Sequence, residues 1–405
     1  MNWKRALAAV LKAVSVLILL GGPLFVFWLM ASMGAVPLYV ARMIPVAGIP
    51  LILVLMAVST GYLGAKWVKR LWCAFGCVCL FCGAYIGMGV YRDSIPTVDD
   101  RSLILQDYVP FQEDNRLVTL DEEATFHLEN PWSVTLDGAT ALYPVYAAFT
   151  QAVYANDRSY KPMESLGFSP HHSQVECNGT ISAYRRLING DVDMIFASGP
   201  SDDQLAAAKE AGMQLYLTPI GREAFVFFVN SANPVTNLTV EDIQGIYTGE
   251  ITNWKDLGGK NQKIRPYQRA ENSGSQTSLQ RLMAGLPLME PEEEDRIAGM
   301  GGIITEVASY RNYKNAIGFS FRYYATEMVQ NGEIRLLALN GVEPAKETIR
   351  DGSYPIASEF YAVTAGPIGA PAPQEWNGYL KGFLDWILSD QGQRIIEETG
   401  YVALR

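Results

Sequence analysis

The sequence predicts an α/β protein of two lobes held behind three transmembrane helices. Three observations carry that expectation. Residues 13–41, 43–65 and 71–91 contain no charged side chain. From about Trp132 onward, short apolar strands such as Met194–Ile195–Phe196–Ala197, Tyr216–Leu217–Thr218 and Ala224 to Val229 alternate with helical patterns near Val240–Ile246 and Ser278–Ala284. That portion, at about 270 residues, exceeds what one typical hydrophobic core supports, so it divides.

Each apolar run is long enough to cross a bilayer, which takes about 20 residues as a helix. The first is longer than one span needs, and Ala13 to Ser32 is its expected extent. Three successive runs do not resemble a cleaved signal peptide, which has a single short apolar core. Lys4, Arg5 and Lys12 precede the first run and Lys66, Lys69 and Arg70 separate the second from the third, whereas only Arg42 lies between the first two. The positive-inside rule then puts the N-terminus in the cytoplasm and everything after Tyr91 outside. The membrane anchor is expected at 1–92, in contact with membrane lipid. An acidic spacer follows at 93–130, with a strand pair around Leu103–Leu105 and Leu117–Leu120.

Charge divides the chain at the same place. Of its 32 basic and 42 acidic residues, eight basic and no acidic ones fall in 1–92, which leaves 24 against 42 and a formal charge of −18 on the remainder. So acidic a surface argues against nucleic acid as a partner, and it repels anions at long range. An anion must then be held by short-range donors in a screened cleft. Cys73, Cys77, Cys79 and Cys82 all lie in the third apolar run, leaving Cys177 without a disulfide partner outside it. Their spacing matches no zinc pattern, and His127, His171 and His172 offer no better metal site. No metal or other cofactor is expected. Trp132, Trp254, Trp376 and Trp386 read as core or shell residues.

Arg269–Ala270–Glu271–Asn272–Ser273–Gly274–Ser275–Gln276–Thr277–Ser278 places a fixed cation and several small hydroxyl donors in a turn that opens a helix through Leu279 and Leu282. Unpaired amides at a helix start, hydroxyls and a two-pronged guanidinium suit one oxyanion. A plain Ser cap on a surface helix has the same pattern. Two more hydroxyl residues stand where helices begin. Asp137–Gly138–Ala139–Thr140–Ala141 precedes Leu142, Val145, Tyr146 and Phe149, and Asn178–Gly179–Thr180 precedes Ile181, Tyr184, Leu187 and Ile188. Three such starts, one beside an Arg, fit a tetrahedral anion that needs donors from several directions.

Further blocks follow in order. Tyr247–Thr248–Gly249–Glu250–Ile251–Thr252–Asn253–Trp254 is followed by Leu257–Gly258–Gly259, then Ala316–Ile317–Gly318–Phe319, Ser389–Asp390–Gln391–Gly392–Gln393 and Gly400–Tyr401–Val402. With the three loops above, these blocks make the chain from about Trp132 to Arg405 resemble the PstS-type phosphate-binding proteins of the periplasmic-binding-protein superfamily, the extracytoplasmic receptors of phosphate ABC transporters.

The resemblance implies a type II binding-protein topology. One lobe would be built from 131–220 and 355–405 and the other from 221–354, with crossings near Ile220 and Tyr354. It implies a ligand site of Ala139, Thr140, Ala141, Leu142, Gly179, Thr180 and Ser198 on one lobe and Arg269, Glu271, Ser273, Gly274, Ser275, Gln276 and Thr277 on the other. Inorganic phosphate or a related oxyanion would be the ligand, and the permease subunits of an ABC transporter in a bacterial cell membrane the partners. One departure matters: many phosphate receptors carry an Asp after the Ala–Ser that ends the second strand, and this chain reads Ala197–Ser198–Gly199. Glu271 is then the only obvious proton acceptor in the matched loops.

A membrane-bound phosphate sensor would share all these residues, and so would a scaffold or adhesin that kept the fold without the ligand. A phosphatase is disfavoured, since no Asp-x-Asp-x-Thr and no Ser–His–Asp order supplies a nucleophile and its activation. The protein is not expected to be an enzyme.

Overall fold

A computed structural model describes residues 3–31, 36–61, 63–94, 97–99, 105–130, 133–154, 174–291, 296–297, 309–311, 313–328, 333–372 and 378–405. The chain falls into two units, Met1–Pro96 and Thr97–Arg405.

In the first unit, helix α1 (Trp3–Val16) runs through a wider turn at Leu17–Gly21 into α2 (Gly22–Met30), and α3 (Leu38–Thr60) and α4 (Ala65–Ser94) follow. The stretches long and apolar enough to span a membrane are Ala6–Met30, Leu38–Thr60 and Ala65–Tyr91. The first begins at Ala6 rather than Ala13, because the helix is already formed there and carries Lys12 within it. Small residues let the helices approach closely. A Cβ on Gly48 would lie 2.3 Å from Leu24 Cδ2, and one on Gly89 would lie 2.6 Å from the Tyr39 ring.

The second unit opens with β1 (Thr97–Asp99), β2 (Leu136–Gly138), α5 (Tyr143–Val153), α6 (Gly179–Asn189), β3 (Met194–Ala197) and α7 (Asp202–Glu210). Then come β4 (Met213–Asn230), β5 (Asn237–Leu238), α8 (Val240–Thr248), β6 (Arg265–Pro266), β7 (Gln268–Arg269) and α9 (Gly274–Met283). The remainder is β8 (Arg296–Ile297), β9 (Ser309–Arg311), β10 (Ala316–Phe321), β11 (Ile334–Leu336), β12 (Ala338–Leu339), α10 (Lys346–Arg350), β13 (Ala357–Pro367), α11 (Tyr379–Ile387), α12 (Asp390–Thr399) and β14 (Val402–Ala403).

The main sheet runs β2-β3-β13-β4-β10-β6, with β11 and β14 also on β4. Its axis is β4, a single 18-residue strand where the sequence suggested two shorter ones. The first part of β4 pairs antiparallel with β13, from Met213↔Pro367 to Ala224↔Ala357, and its last part pairs with β10, from Phe225↔Phe321 to Val229↔Ile317. Between these two stretches the strand changes partner without breaking.

Two large apolar clusters lie along that axis. One holds Tyr146, Phe149, Phe196, Phe383 and Trp386, and the other holds Phe225, Phe227, Tyr247, Trp254 and Phe319. A smaller cluster of Ala183, Tyr184, Leu187, Ile195 and Val363 covers the opposite face of β3. The 3.6-residue spacing of Leu142, Val145, Tyr146 and Phe149 puts all four in the first cluster, because α5 buries that stripe against β3.

The acidic segment after the anchor does not pair Leu105 with Leu117–Leu120 among its described residues; its strand there is β1, which pairs with β9. Leu105 opens a tight turn, Leu105–Tyr108, and Leu117–Leu120 has no ladder; Leu103 lies outside the described residues. The physical reason is burial in one direction. Adjacent Leu117 and Val118 both pack on the first cluster, together with Leu120, which alternation along a strand would not allow. Gln391 fastens the segment to α12 by accepting from the Thr125 N–H at 2.8 Å and donating to the Glu123 carbonyl at 3.0 Å.

Candidate functional site

The two hydroxyl-bearing helix starts on β2 and α6 are built on one buried ion cluster. Asp137, fully buried at the middle of β2, accepts from the Gly138 and Asn178 N–H groups, both at 2.8 Å, and from Arg186 Nη1 at 2.7 Å. Arg186 also reaches Glu176 at 2.6 Å, and Asn178 Nδ2 donates to both carboxylates. Burial raises the Asp137 carboxyl above its ordinary value, while the bonds from Asn178 and the charge of Arg186 pull the other way. The cluster therefore ties residues 137–138 to residues 176–178. It fixes the spacing of the loops that follow.

Glycine is required at two points of this junction. A Cβ on Gly138 would sit 2.6 Å from the Phe196 carbonyl oxygen, so β2 can approach β3 only without a side chain. Gly179 has φ +75, the left-handed region that favours glycine, and it turns the chain into α6 at Thr180. Thr140 and Leu142 bound a tight turn leading into α5, with the Leu142 N–H donating to the Ala139 carbonyl at 3.0 Å. Burial pushes the Cys177 thiol up to about 12, and Tyr146, Thr140 and the Gly179 N–H all lie against it.

The start of α9 meets these loops. A Cβ on Gly274 would fall 2.7 Å from Ser198 Oγ and 3.3 Å from Thr180 Oγ1, so three segments distant in sequence converge there. Ser198 Oγ is buried and has no hydrogen-bond partner among the described residues. Beside it lies a narrow cavity with about 350 Å³ of space free of protein atoms, part of it open to solvent, lined by Ala139, Ala141, Leu142, Ser198, Glu223 and Glu359 together with Phe321, Ser358, Phe360 and Tyr401.

Of the residues expected from sequence, Ala139, Ala141, Leu142 and Ser198 line this cavity, and Thr180 and Gly274 abut Ser198. The rest of the 269–277 loop is placed differently. Ser273 caps α9 by accepting from the Gln276 N–H at 3.3 Å. Gln276, buried, accepts from the Arg269 N–H at 2.9 Å and donates to Gln268. Arg269 is half-buried on β7 and is not among the described residues lining the cavity. Ser275 is half-buried within the first turn of α9. Glu271 is exposed and accepts from Gln280 Nε2 at 2.7 Å. It faces a second, wider groove that Thr277 and Arg281 also line.

The 198–204 and 269–281 segments are bonded together. Ser201 Oγ donates to Asn272 Oδ1 at 2.7 Å, Gln204 Nε2 donates to the Asn272 carbonyl at 3.1 Å, and Arg281 Nη2 donates to the Pro200 carbonyl at 2.7 Å. Asn272 holds φ +65 to do this, a conformation Asn tolerates better than most residues. At Gly199 a Cβ would lie 3.1 Å from Arg281 Nη2, so a carboxylate at that position would meet this guanidinium.

Glu223 was not singled out by the sequence reading. It is 3 % exposed, and its oxygens accept from the N–H of Ala224 at 2.8 Å and of Tyr323 at 3.1 Å. Arg322 Nε stands 3.5 Å away without a hydrogen-bond acceptor among the described residues, while its Nη2 donates to the Gly400 carbonyl. Burial pushes the Glu223 carboxyl up to about 7, against the opposing pull of Arg322. A signal was present: Arg222–Glu223 are the only charges in the otherwise uncharged run from Met213 to Asn230.

Comparison with known proteins gives a consistent set of matches. Residues 121–391 match the family described as the PBP superfamily domain. The phosphate-binding protein PstS of Bacillus subtilis is 27 % identical over 275 residues, which cover 67 % of this chain and 80 % of that protein. PstS of Borreliella burgdorferi is 28 % identical over 193 residues, covering 46 % of this chain; the chain spans 66 % of that relative, just under two thirds. Among solved structures, an ABC-type phosphate transport receptor from Vibrio cholerae aligns over 67 % of this chain and 99 % of its own, with 20 % identity and a TM-score of 0.43.

Proposed function

The chain belongs to the PBP superfamily domain family, and from that premise we propose that it is a membrane-anchored receptor that captures inorganic phosphate, or a related oxyanion, for an ABC transporter. The relatives named phosphate-binding protein PstS support the ligand class. The three apolar helices support the anchor, and the excess of Lys and Arg before the first span and between the last two supports an orientation with the N-terminus in the cytoplasm and the binding unit outside.

In this reading 131–220 with 355–405 forms one lobe and 221–354 the other, and the anion sits where they meet. Thr140, Thr180 and Ser198 act from the first lobe with the backbone around Ala139 to Leu142 and Gly179. Arg269, Glu271 and Ser273 to Thr277 belong to the opposing loop, which closes over the ligand by hinge motion. Each charge-assisted hydrogen bond then contributes about 1.5–3 kcal/mol. The protein acts as a receptor, without catalytic residues.

The observation that carries the proposal is Ser198 Oγ, buried and without a hydrogen-bond partner among the described residues where Gly274 and Thr180 come together. A buried hydroxyl of that kind costs free energy unless something supplies its missing bond. Isothermal titration of the full chain in detergent micelles with phosphate, sulfate and several phosphate esters tests it. Saturable binding of phosphate is expected, and no binding of any of these anions refutes it. A second reading, a scaffold without ligand, is favoured by one feature: the cavity wall carries two carboxylates, Glu223 and Glu359, and mostly apolar neighbours. The same titration separates the two. A sensor role would be distinguished by co-purification with a regulator in place of permease subunits.

A further inference from the structure

We infer that Glu223 couples anion capture in this cleft to the uptake of a proton. The inference rests on the anion reading above and assigns its proton linkage to one residue. Glu223 lies on β4 at the step where pairing passes from β13 to β10, and it lines the same cavity as Ala139, Ala141 and Leu142. The cation beside it is Arg322, 3.5 Å away and shared with the Gly400 carbonyl. Among the described residues, the other titratable groups around it are two phenols and a carboxylate. Tyr323 and Tyr401 are phenols whose ionisation burial pushes up, so both stay neutral. Glu359, next along β13 from the residue paired with Glu223, lines the same cavity and accepts from the Tyr361 hydroxyl at 3.4 Å.

An oxyanion entering this space meets at least one carboxylate that burial already leaves short of solvation. Opposed negative charges at such range disfavour joint ionisation, and the strain is relieved when a solvent proton binds a Glu223 oxygen. The neutral carboxyl then offers an O–H to a ligand oxygen, which an ionised one cannot do. No covalent bond other than this O–H forms or breaks. Glu271, exposed and bonded to Gln280, is not placed to take that part.

The test is calorimetric titration of the full chain in detergent micelles with inorganic phosphate, repeated in buffers of different ionisation enthalpy to count protons, for wild type, Glu223→Gln and Glu223→Met. Phosphate's own titration is common to all three proteins and cancels in the difference. At about pH 8 wild type should take up about 0.5–1 proton per site more than either variant, and the excess should vanish near pH 5.5, where Glu223 is already protonated without ligand. Circular dichroism identifies a variant that fails to fold, and the other then serves alone. Equal proton counts at pH 8 with phosphate still bound overturn the inference and leave the receptor intact. Absence of phosphate binding in wild type overturns the receptor reading, and this one with it.

Discussion

Replacing Glu223 by Gln should reverse the sign of a stability difference between acid and mildly alkaline solution, in the absence of any ligand. Burial moves this carboxyl from an ordinary 4.5 to about 7. The folded protein therefore holds the proton more tightly than the unfolded chain does. The resulting stabilisation is fully present below pH 4.5 and is lost as pH rises through 7. At about 1.4 kcal/mol per pH unit, the loss amounts to about 3 kcal/mol. Gln cannot ionise and shows none of it. Gln also has one acceptor oxygen where Glu uses two, for the N–H groups of Ala224 and Tyr323. One buried donor is left unmatched, at a cost of about 1 kcal/mol at every pH. The variant should thus be less stable than wild type by about 1 kcal/mol below about pH 4, roughly equal to it near pH 5, and more stable by about 2 kcal/mol near pH 8.5. Urea unfolding of the full chain in micelles, followed by the fluorescence of buried Trp254 and Trp386, reads these values. Parallel pH profiles for the two proteins would refute the reasoning, because they would mean that Glu223 is not desolvated.

Four further outcomes are expected. Arg186→Met strands Asp137 as a buried charge and should cost about 3–5 kcal/mol in the same unfolding assay, with a loss below 1 kcal/mol counting against the cluster as a support for the loops. Gly274→Ala puts a methyl 2.7 Å from Ser198 Oγ and should lower phosphate affinity at least about tenfold, with an unfolding cost of about 1–3 kcal/mol from overpacking. Asn272→Gly keeps the left-handed backbone but removes the side-chain bond from Ser201, so a dye pair on the 198–204 and 274–283 segments should report a larger open fraction. Arg269→Ala should weaken phosphate binding at least about tenfold through loss of a charge-assisted contact, and an unchanged affinity would remove Arg269 from the ligand site.

Much of the architecture was legible because it is written in period and punctuation. The apolar runs mark the three long helices, Met194–Ala197 is a strand as read, and Ser273 caps the helix that its neighbours predict. The long reach of β4 was not legible, since Gly221 and the Arg222–Glu223 pair interrupt its apolar pattern where the strand changes partners. The 105–130 segment misled for a different reason. Its leucines alternate weakly enough to suggest strands, yet tertiary burial with Tyr146 and Phe149 decides their conformation. Loop motifs singled out Thr180 and Gly274, which lie beside Ser198 in the structure, because small residues and helix starts have local signatures. Glu223 has none beyond its charge, because its environment is assembled from Arg322, Tyr323 and Tyr401, far along the chain.

The placement of β13 between β3 and β4 has a consequence for biogenesis. The ladder joining β2 and β3 to the rest of the sheet runs through residues 357–367, well after β4 in chain order. During synthesis the facing edges of β3 and the first part of β4 must wait, unpaired, until that later strand has left the ribosome. A nascent chain would thus present open strand edges for much of its elongation, and it should depend on holding chaperones more than a protein whose sheet closes in chain order.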